Sequence, residues 1–206
     1  MTLQLRNVTL MLMRTLILTA LLIGIGPTSA LAQDCEALTR AQMTMVDWPV
    51  PMRQTITSSV AGNEFKGTAI STGASRAMYM DENGKPQSLS LNERFYSTVD
   101  GENWTLVRTY TPEEMQKRAD DLVKQAEIAT DISCEFDIEL DGKKVHRLNA
   151  STVLQTGGND YSVSYWVDAS DGFPWRIETE FIAATITRTV QENEPDPSIT
   201  LPEPEG

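Results

Sequence analysis

From about position 52 to position 190 the chain alternates between apolar and polar side chains. In Cys134-Glu135-Phe136-Asp137-Ile138-Glu139-Leu140 an acid stands between each pair of apolar residues. Tyr161, Val163, Tyr165 and Val167 share one face. Phe173, Trp175, Ile177, Thr179 and Phe181 share another, with Arg176, Glu178 and Glu180 opposite. A period of two places successive side chains on opposite sides of a strand. Turn chemistry separates the runs: Ala61-Gly62-Asn63, Thr72-Gly73-Ala74, Asp81-Glu82-Asn83-Gly84, Asp100-Gly101-Glu102-Asn103, Asp141-Gly142, Gly157-Gly158-Asn159 and Ser170-Asp171-Gly172. The pattern predicts strands over 52–60, 64–71, 76–80, 87–91, 95–99, 104–110, 134–140, 145–154, 161–167 and 173–181, with 182–190 either continuing the last of these or beginning the next. Strands joined by short hairpins form an antiparallel sheet with one wet face.

One long helix interrupts this pattern. In Thr111-Pro112-Glu113-Glu114 a capping Thr precedes a Pro at the first helical position and a Glu at the third. Met115, Ala119, Leu122, Val123, Ala126 and Ala129 then recur at helical spacing, one apolar stripe on a charged rod. A second, short N-terminal helical segment over 35–46 carries Leu38, Met43 and Val46. It ends at Trp48-Pro49-Val50-Pro51, because a residue before Pro is driven out of the helical region. The expected fold is α+β, mostly β: a strongly curved antiparallel sheet, covered on its apolar face by one long helix and the short N-terminal one.

The first 32 residues contain no acid; Arg6 and Arg14 precede an apolar run over 16–25, followed by Ala30-Leu31-Ala32. Positive start, short apolar core and small-x-small cleavage site predict a signal peptide over 1–32. The apolar core is shorter than the roughly 20 residues that span a bilayer. Asp34 precedes Cys35, where bacterial lipoproteins carry a small residue, so no lipid anchor is expected. Cleavage leaves a single β-rich domain over 33–190 and a Pro-rich acidic tail over 191–206, within which 198–201 has the makings of a short edge strand. The expected compartment is the periplasm, with no membrane segment in the mature chain.

In that compartment the two cysteines of the chain, Cys35 and Cys134, are expected to form a disulfide. The net charge of the 206 residues is −12, and losing Arg6 and Arg14 makes the mature domain −14. Phosphate backbones call for concentrated basic surface, so nucleic acid is excluded as a partner. His146 is the only His, which leaves no Cys/His zinc site and no hydrolytic triad. It reads as a solvated strand residue between Lys144 and Arg147. Glu135, Asp137 and Glu139 have spacing that suits paired-carboxylate chemistry or weak Ca²⁺ binding. A wet strand face accounts for them equally. No catalytic residue, metal site or cofactor is expected.

Two segments resemble a known family. Tyr96 and Asp100-Gly101-x-x-Trp104 share one hairpin, and Tyr165-Trp166-Val167-Asp168-Ala169-Ser170-Asp171-Gly172-Phe173-Pro174-Trp175-Arg176-Ile177-Glu178 is similar to the aromatic strand of the bacterial lipoprotein-carrier (LolA/LolB-like) superfamily. The segment Ile199-Thr200-Leu201-Pro202 is similar to that family's terminal strand. The resemblance implies an unclosed β-barrel with a helical lid over an apolar cavity. This chain differs in having one long helix, hence a smaller lid. The family's cavity-bottom Arg has three competing counterparts in Arg53, Arg76 and Arg108.

Two functions follow as expectations. One is binding of a hydrophobic small molecule, lipid or lipoprotein acyl chain, without catalysis, in a cavity between sheet and helix. Leu122 and Val123 would face that cavity from the lid, and Phe136, Ile138, Val163, Tyr165, Trp175, Ile177 and Phe181 would line it. The other is a protein-interaction or envelope-stress sensing module whose barrel is filled by its own side chains, among them Trp166, Trp175 and Phe181. Met43, Met45, Met52, Met78 and Met80 fit either a soft ligand surface or plain core.

Overall fold

The computed structural model describes residues 28–46, 48, 50–73, 75–153 and 159–204. Most of the predicted signal peptide and the Gly157-Gly158 turn lie outside the described residues. The chain divides into one unit up to Asp34 and a second from Cys35 to Gly206. Of the first, only residues 28–34 are described, and they are helical.

Among the described residues there are two helices and eleven strands. Helix α1 is Thr28–Met43. Strands β1 (Met52–Val60), β2 (Asn63–Gly73), β3 (Arg76–Met80), β4 (Pro86–Leu91), β5 (Arg94–Ser97) and β6 (Thr105–Thr109) come next. Helix α2 (Pro112–Glu127) then precedes β7 (Thr130–Leu140), β8 (Lys143–Val153), β9 (Asp160–Asp168), β10 (Pro174–Ile182) and β11 (Ile186–Pro195). All eleven strands form one antiparallel sheet in the order β6-β5-β4-β3-β2-β1-β11-β10-β9-β8-β7. It is therefore two meanders joined where β1 pairs with β11. The sheet does not close; β6 and β7 are its edges. An open sheet of this width curls under its own twist.

Helix α2 links those two edges. Its start is a full capping box. The Glu114 amide donates to Thr111 Oγ1 at 3.2 Å, and the Thr111 amide donates to Glu114 Oε2 at 2.9 Å. Arg108 on β6 donates to Glu114 at 2.6 Å, and the guanidinium groups of Arg108 and Arg118 stack on the Tyr110 ring. At the other end Ala126 is buried, and Ala129, just past the helix, packs against Ala150 and Val163 of the sheet.

The hairpins behave as their sequences require. Ala61 and Asp141 take the left-handed conformation together with the glycines that follow them, which gives two-residue turns whose twist matches the strands. Asp100 accepts hydrogen bonds from Thr98 and Asn103 side chains and from the Glu102 and Asn103 amides. Those donors, Asn103 foremost, hold its carboxyl far below the usual range.

Apolar burial departs from the one-face expectation at one end of the sheet. Leu89, Leu91 and Tyr96 form a cluster with Met78, Trp104 and Leu201 on the outer face. On the inner face Met52, Ala69, Ser71 and Ala77 are also buried, and the Trp48 indole donates to Ser71 Oγ at 2.9 Å. The reason is compositional: Met78, Leu89, Leu91 and Tyr96 face outward while Ala69, Ser71 and Ala77 face inward, so here both sides shed water. The chain end follows from this. Strand β11 runs to Pro195, five residues into the predicted tail. Residues 198–201 form no strand; Ile199 and Leu201 pack through side chains instead. The Ser198 and Ile199 amides donate back to Asp196, which turns the stretch instead of offering those donors to a neighbouring strand.

The Cys35–Cys134 disulfide is formed, tying α1 to β7. Thr39, fully buried, donates to the Cys35 carbonyl at 2.8 Å and lies 3.7 Å from Cys134 Sγ.

Candidate functional site

Register fixes which side chains share the inner face beneath the helices. Three rows cross six strands: Gly67, Ile56, Gln191, Ile177, Tyr165 and Leu148; then Phe65, Ser58, Thr189, Thr179, Val163 and Ala150; then Asn63, Val60, Thr187, Phe181, Tyr161 and Thr152. None of these positions is charged. At the β8–β9 end the face is packed: Ala129, Ala150 and Val163 are buried, with Met43 of α1, Ile132, Tyr161, Tyr165 and Ile177 against them. Toward β11, β1 and β2 the cover thins. Ser58, Thr187 and Thr189 are half-exposed and Phe65 is 59% exposed.

The helix shows the same gradient. Ala119 and Ala126 are seven residues apart and so lie on one face of α2. Ala126 is buried, yet Ala119 is exposed. Met115 and Leu122, also on that stripe, are half-buried, and Val123 is 46% exposed. The lid is therefore seated at its C-terminal end only. Its N-terminal half holds an apolar stripe that no side chain of the described residues covers fully.

Burial leaves a mark on the tyrosines. Loss of water pushes the Tyr161 phenol up to about 12 and the Tyr165 phenol higher still, with Tyr161 adding to the effect. The Thr152 hydroxyl, directly opposite Tyr161 in register, is buried and has no hydrogen-bond partner among the described residues.

Of the predicted lining residues, Val163, Tyr165 and Ile177 come together in this cluster, and Phe181 sits beside Tyr161. Leu122 lies on the stripe and Val123 at its exposed margin. Phe136 stands in a bulge of β7 and stacks edge-on against His146, with ring centres 4.9 Å apart. His146 is thus tucked under an aromatic ring rather than solvated, and its Nδ1 accepts from the Asp137 amide at 3.1 Å. Ile138 faces Val145 near the hairpin tip.

Trp175 lies in a bulge of β10, its indole donating to Asp168 at 3.1 Å and Lys143 stacked on its ring. Trp166 is on the outer face, between the guanidinium groups of Arg147 and Arg176. It completes an in-register row Glu135, Arg147, Trp166, Arg176, Glu192. That row, with the bulge at Asp137 (φ 57°), separates Glu135, Asp137 and Glu139, since Glu135 pairs with Arg147 and Asp137 with Lys144. Arg53 and Arg108 are exposed and paired with Asp196 and Glu114, and Arg76 lies opposite Leu91.

Sequence reading left Tyr161, Thr152, Met43 and Ile132 out of the site. Tyr161 stood on the right alternating face. The others required strand register and the path of α1. Two surface clefts lie elsewhere. One of about 550 Å³ is lined by Glu64, Phe65, Lys66, Asp81, Glu82 and Asn83. One of about 220 Å³ is lined by Leu140, Asp141, Lys143, Trp175, Arg176, Glu192 and Asn193. Neither is lined by α2, and of β8 only Lys143, at its first position, borders the second.

No protein-family model matches the chain, and no curated protein matches it. Among solved structures it is similar to Mycobacterium tuberculosis lipoprotein LppX, at 9% identity and a TM-score of 0.46, over 83% of this chain and 98% of that one. It is similar to a chain of the Pseudomonas aeruginosa MucA/MucB complex, at 13% identity and a TM-score of 0.44, over 80% of this chain and 59% of that one. It is also similar to a LolA superfamily protein from Nitrosomonas europaea, at 12% identity and a TM-score of 0.35, over 79% of this chain and 91% of that one. Likenesses at this level decide neither ligand nor partner. No helix among the described residues is long and apolar enough to cross a membrane.

Proposed function

We propose that this is an exported, periplasmic binding protein that holds a hydrophobic ligand (a lipid, an acyl chain or a lipidated partner) between α2 and the inner face of the sheet. The observation that carries the reading is the half-seated lid. The stripe buried at Ala126 is uncovered at Ala119, and the three central rows of the inner sheet face carry no charge. Apolar surface left open in this way gains free energy at about 25 cal/mol per Å² when a chain covers it. No covalent chemistry is assigned to the site. Export rests on the acid-free N-terminus and its apolar core.

The test is Ala119→Glu. Position 119 is exposed, so the substitution leaves stability within about 0.5 kcal/mol. It places a charge on the stripe the ligand covers and lowers acyl-chain affinity about tenfold or more. Affinity equal to the parent protein's sinks the reading. A protein-interaction role is favoured by one separate feature. Edge strand β6 is exposed throughout, with Leu106 48% and Val107 57% accessible. Periplasmic pull-down of a partner lost on Val107→Lys, with no acyl chain bound, would select that role instead.

A further inference from the structure

We propose that the groove prefers an acyl chain with an uncharged, hydrogen-bonding head, such as a glycerol ester, over an ionised fatty acid. The inference rests on the ligand-binding reading and adds the chemistry of the head group.

The three inner-face rows contain no Asp, Glu, Lys, Arg or His, so they offer a carboxylate no counter-charge. On the covering helix α1, Arg40 already gives Nε and Nη2 to Glu36, at 3.0 and 2.8 Å. Its Nη1 is buried with no partner among the described residues, but Glu36 balances the charge of the group. What the rows do offer is hydroxyls. Thr152 is 5% exposed, and its Oγ1 has no hydrogen-bond partner among the described residues. Tyr161 stands opposite it, and Tyr165 lies four residues further along β9 on the same face. Ser58 and Thr189 are 3.1 Å apart, bonded to each other.

A buried hydroxyl with no partner is costly, and a ligand that satisfies it recovers that cost. An ester carbonyl accepts from Tyr or Thr, and a glycerol hydroxyl both donates and accepts. An ionised carboxylate would leave water for a sheet face without a cation, which costs more than hydroxyl donors return. The raised phenol pKa values report the same resistance to negative charge.

The experiment titrates delipidated protein at about pH 8, where a fatty acid in water is ionised, with monopalmitoylglycerol and with palmitate, each below its micelle concentration. Monopalmitoylglycerol is expected to bind at least about tenfold more tightly. The double variant Thr152→Val/Tyr161→Phe is expected to bring the ratio toward one by weakening the ester. Tyr165→Phe supplies a second variant should the double one fold poorly. Palmitate binding as tightly as the ester overturns the head-group preference and leaves the ligand-binding reading standing. A preference that all the variants keep overturns the role given to the hydroxyls. Failure of both probes to bind overturns the inference together with the reading beneath it.

Discussion

Breaking the Cys35–Cys134 bridge should weaken the protein more than any single side-chain truncation in the site. The bridge spans a sequence separation of 99 residues. Opening a loop of that size returns about 4–5 kcal/mol of chain entropy to the unfolded state. The native state keeps little to offset it, because residues 35–43 of α1 are held chiefly through buried Thr39 and Gln42, with Met43 against the inner cluster. The perturbation is Cys35→Ser/Cys134→Ser, compared with the parent by urea unfolding under tryptophan fluorescence. With a slope of about 2 kcal/mol per molar, the midpoint falls by about 2 M. Hydrogen exchange provides an independent readout: amides of residues 35–43 lose protection, while those of β8 and β9 keep it at the new global stability. A midpoint shift below about 0.5 M would refute the entropic argument. Unchanged protection in α1 would show that the helix docks without its tether.

Three further outcomes follow from named contacts. Thr111→Ala removes one half of the α2 capping box and should lower stability by about 1 kcal/mol in the same urea assay. The raised phenol of Tyr161 makes the fold sensitive to alkali: its stabilising contribution is intact below the unfolded value of 10.0 and is lost as pH climbs toward about 12. Tyr161→Phe should flatten that alkaline slope, as measured by thermal melts across the range. Hydrogen bonds from Ser170 first, then the Trp175 indole, hold the Asp168 carboxyl below its ordinary value of 3.8. Its contribution is present above that value and declines as pH falls through the lower folded one. Asp168→Asn should therefore remove part of the acid-induced loss and blue- or red-shift Trp175 emission at neutral pH; an unchanged acid profile would sink the assignment.

Local chemistry made most of the fold readable. The Thr111-Pro112-Glu113-Glu114 cap, the Asp141-Gly142 and Ala61-Gly62 turns, and the alternation through β7 to β10 each state their structure within a few residues. The reading failed where partners lie far away in sequence. The bulge at Phe136 and Asp137 and the one at Trp175 break the period of two, and nothing in their sequences announces it. Trp166 looks like core until strand register places Arg147 and Arg176 on either side of it. The outer cluster of Leu89 and Tyr96 depends on where the Pro-rich end folds back. The site was legible in part for the same reason. Val163, Tyr165 and Ile177 follow from alternation, whereas the half-seated lid is a difference between Ala119 and Ala126, two residues whose sequence surroundings are alike.

Photo-crosslinking with a diazirine-bearing acyl glycerol, mapped by peptide mass spectrometry, tests the binding reading most directly. Labels are expected on Met115, Ala119 or Leu122 of α2 and on Phe181, Tyr161 or Thr187 of the inner face, and competed away by unlabelled ligand. Labels confined to β6 or to the Leu89–Tyr96–Leu201 cluster, or no label that unlabelled ligand removes, would contradict a ligand held between lid and sheet.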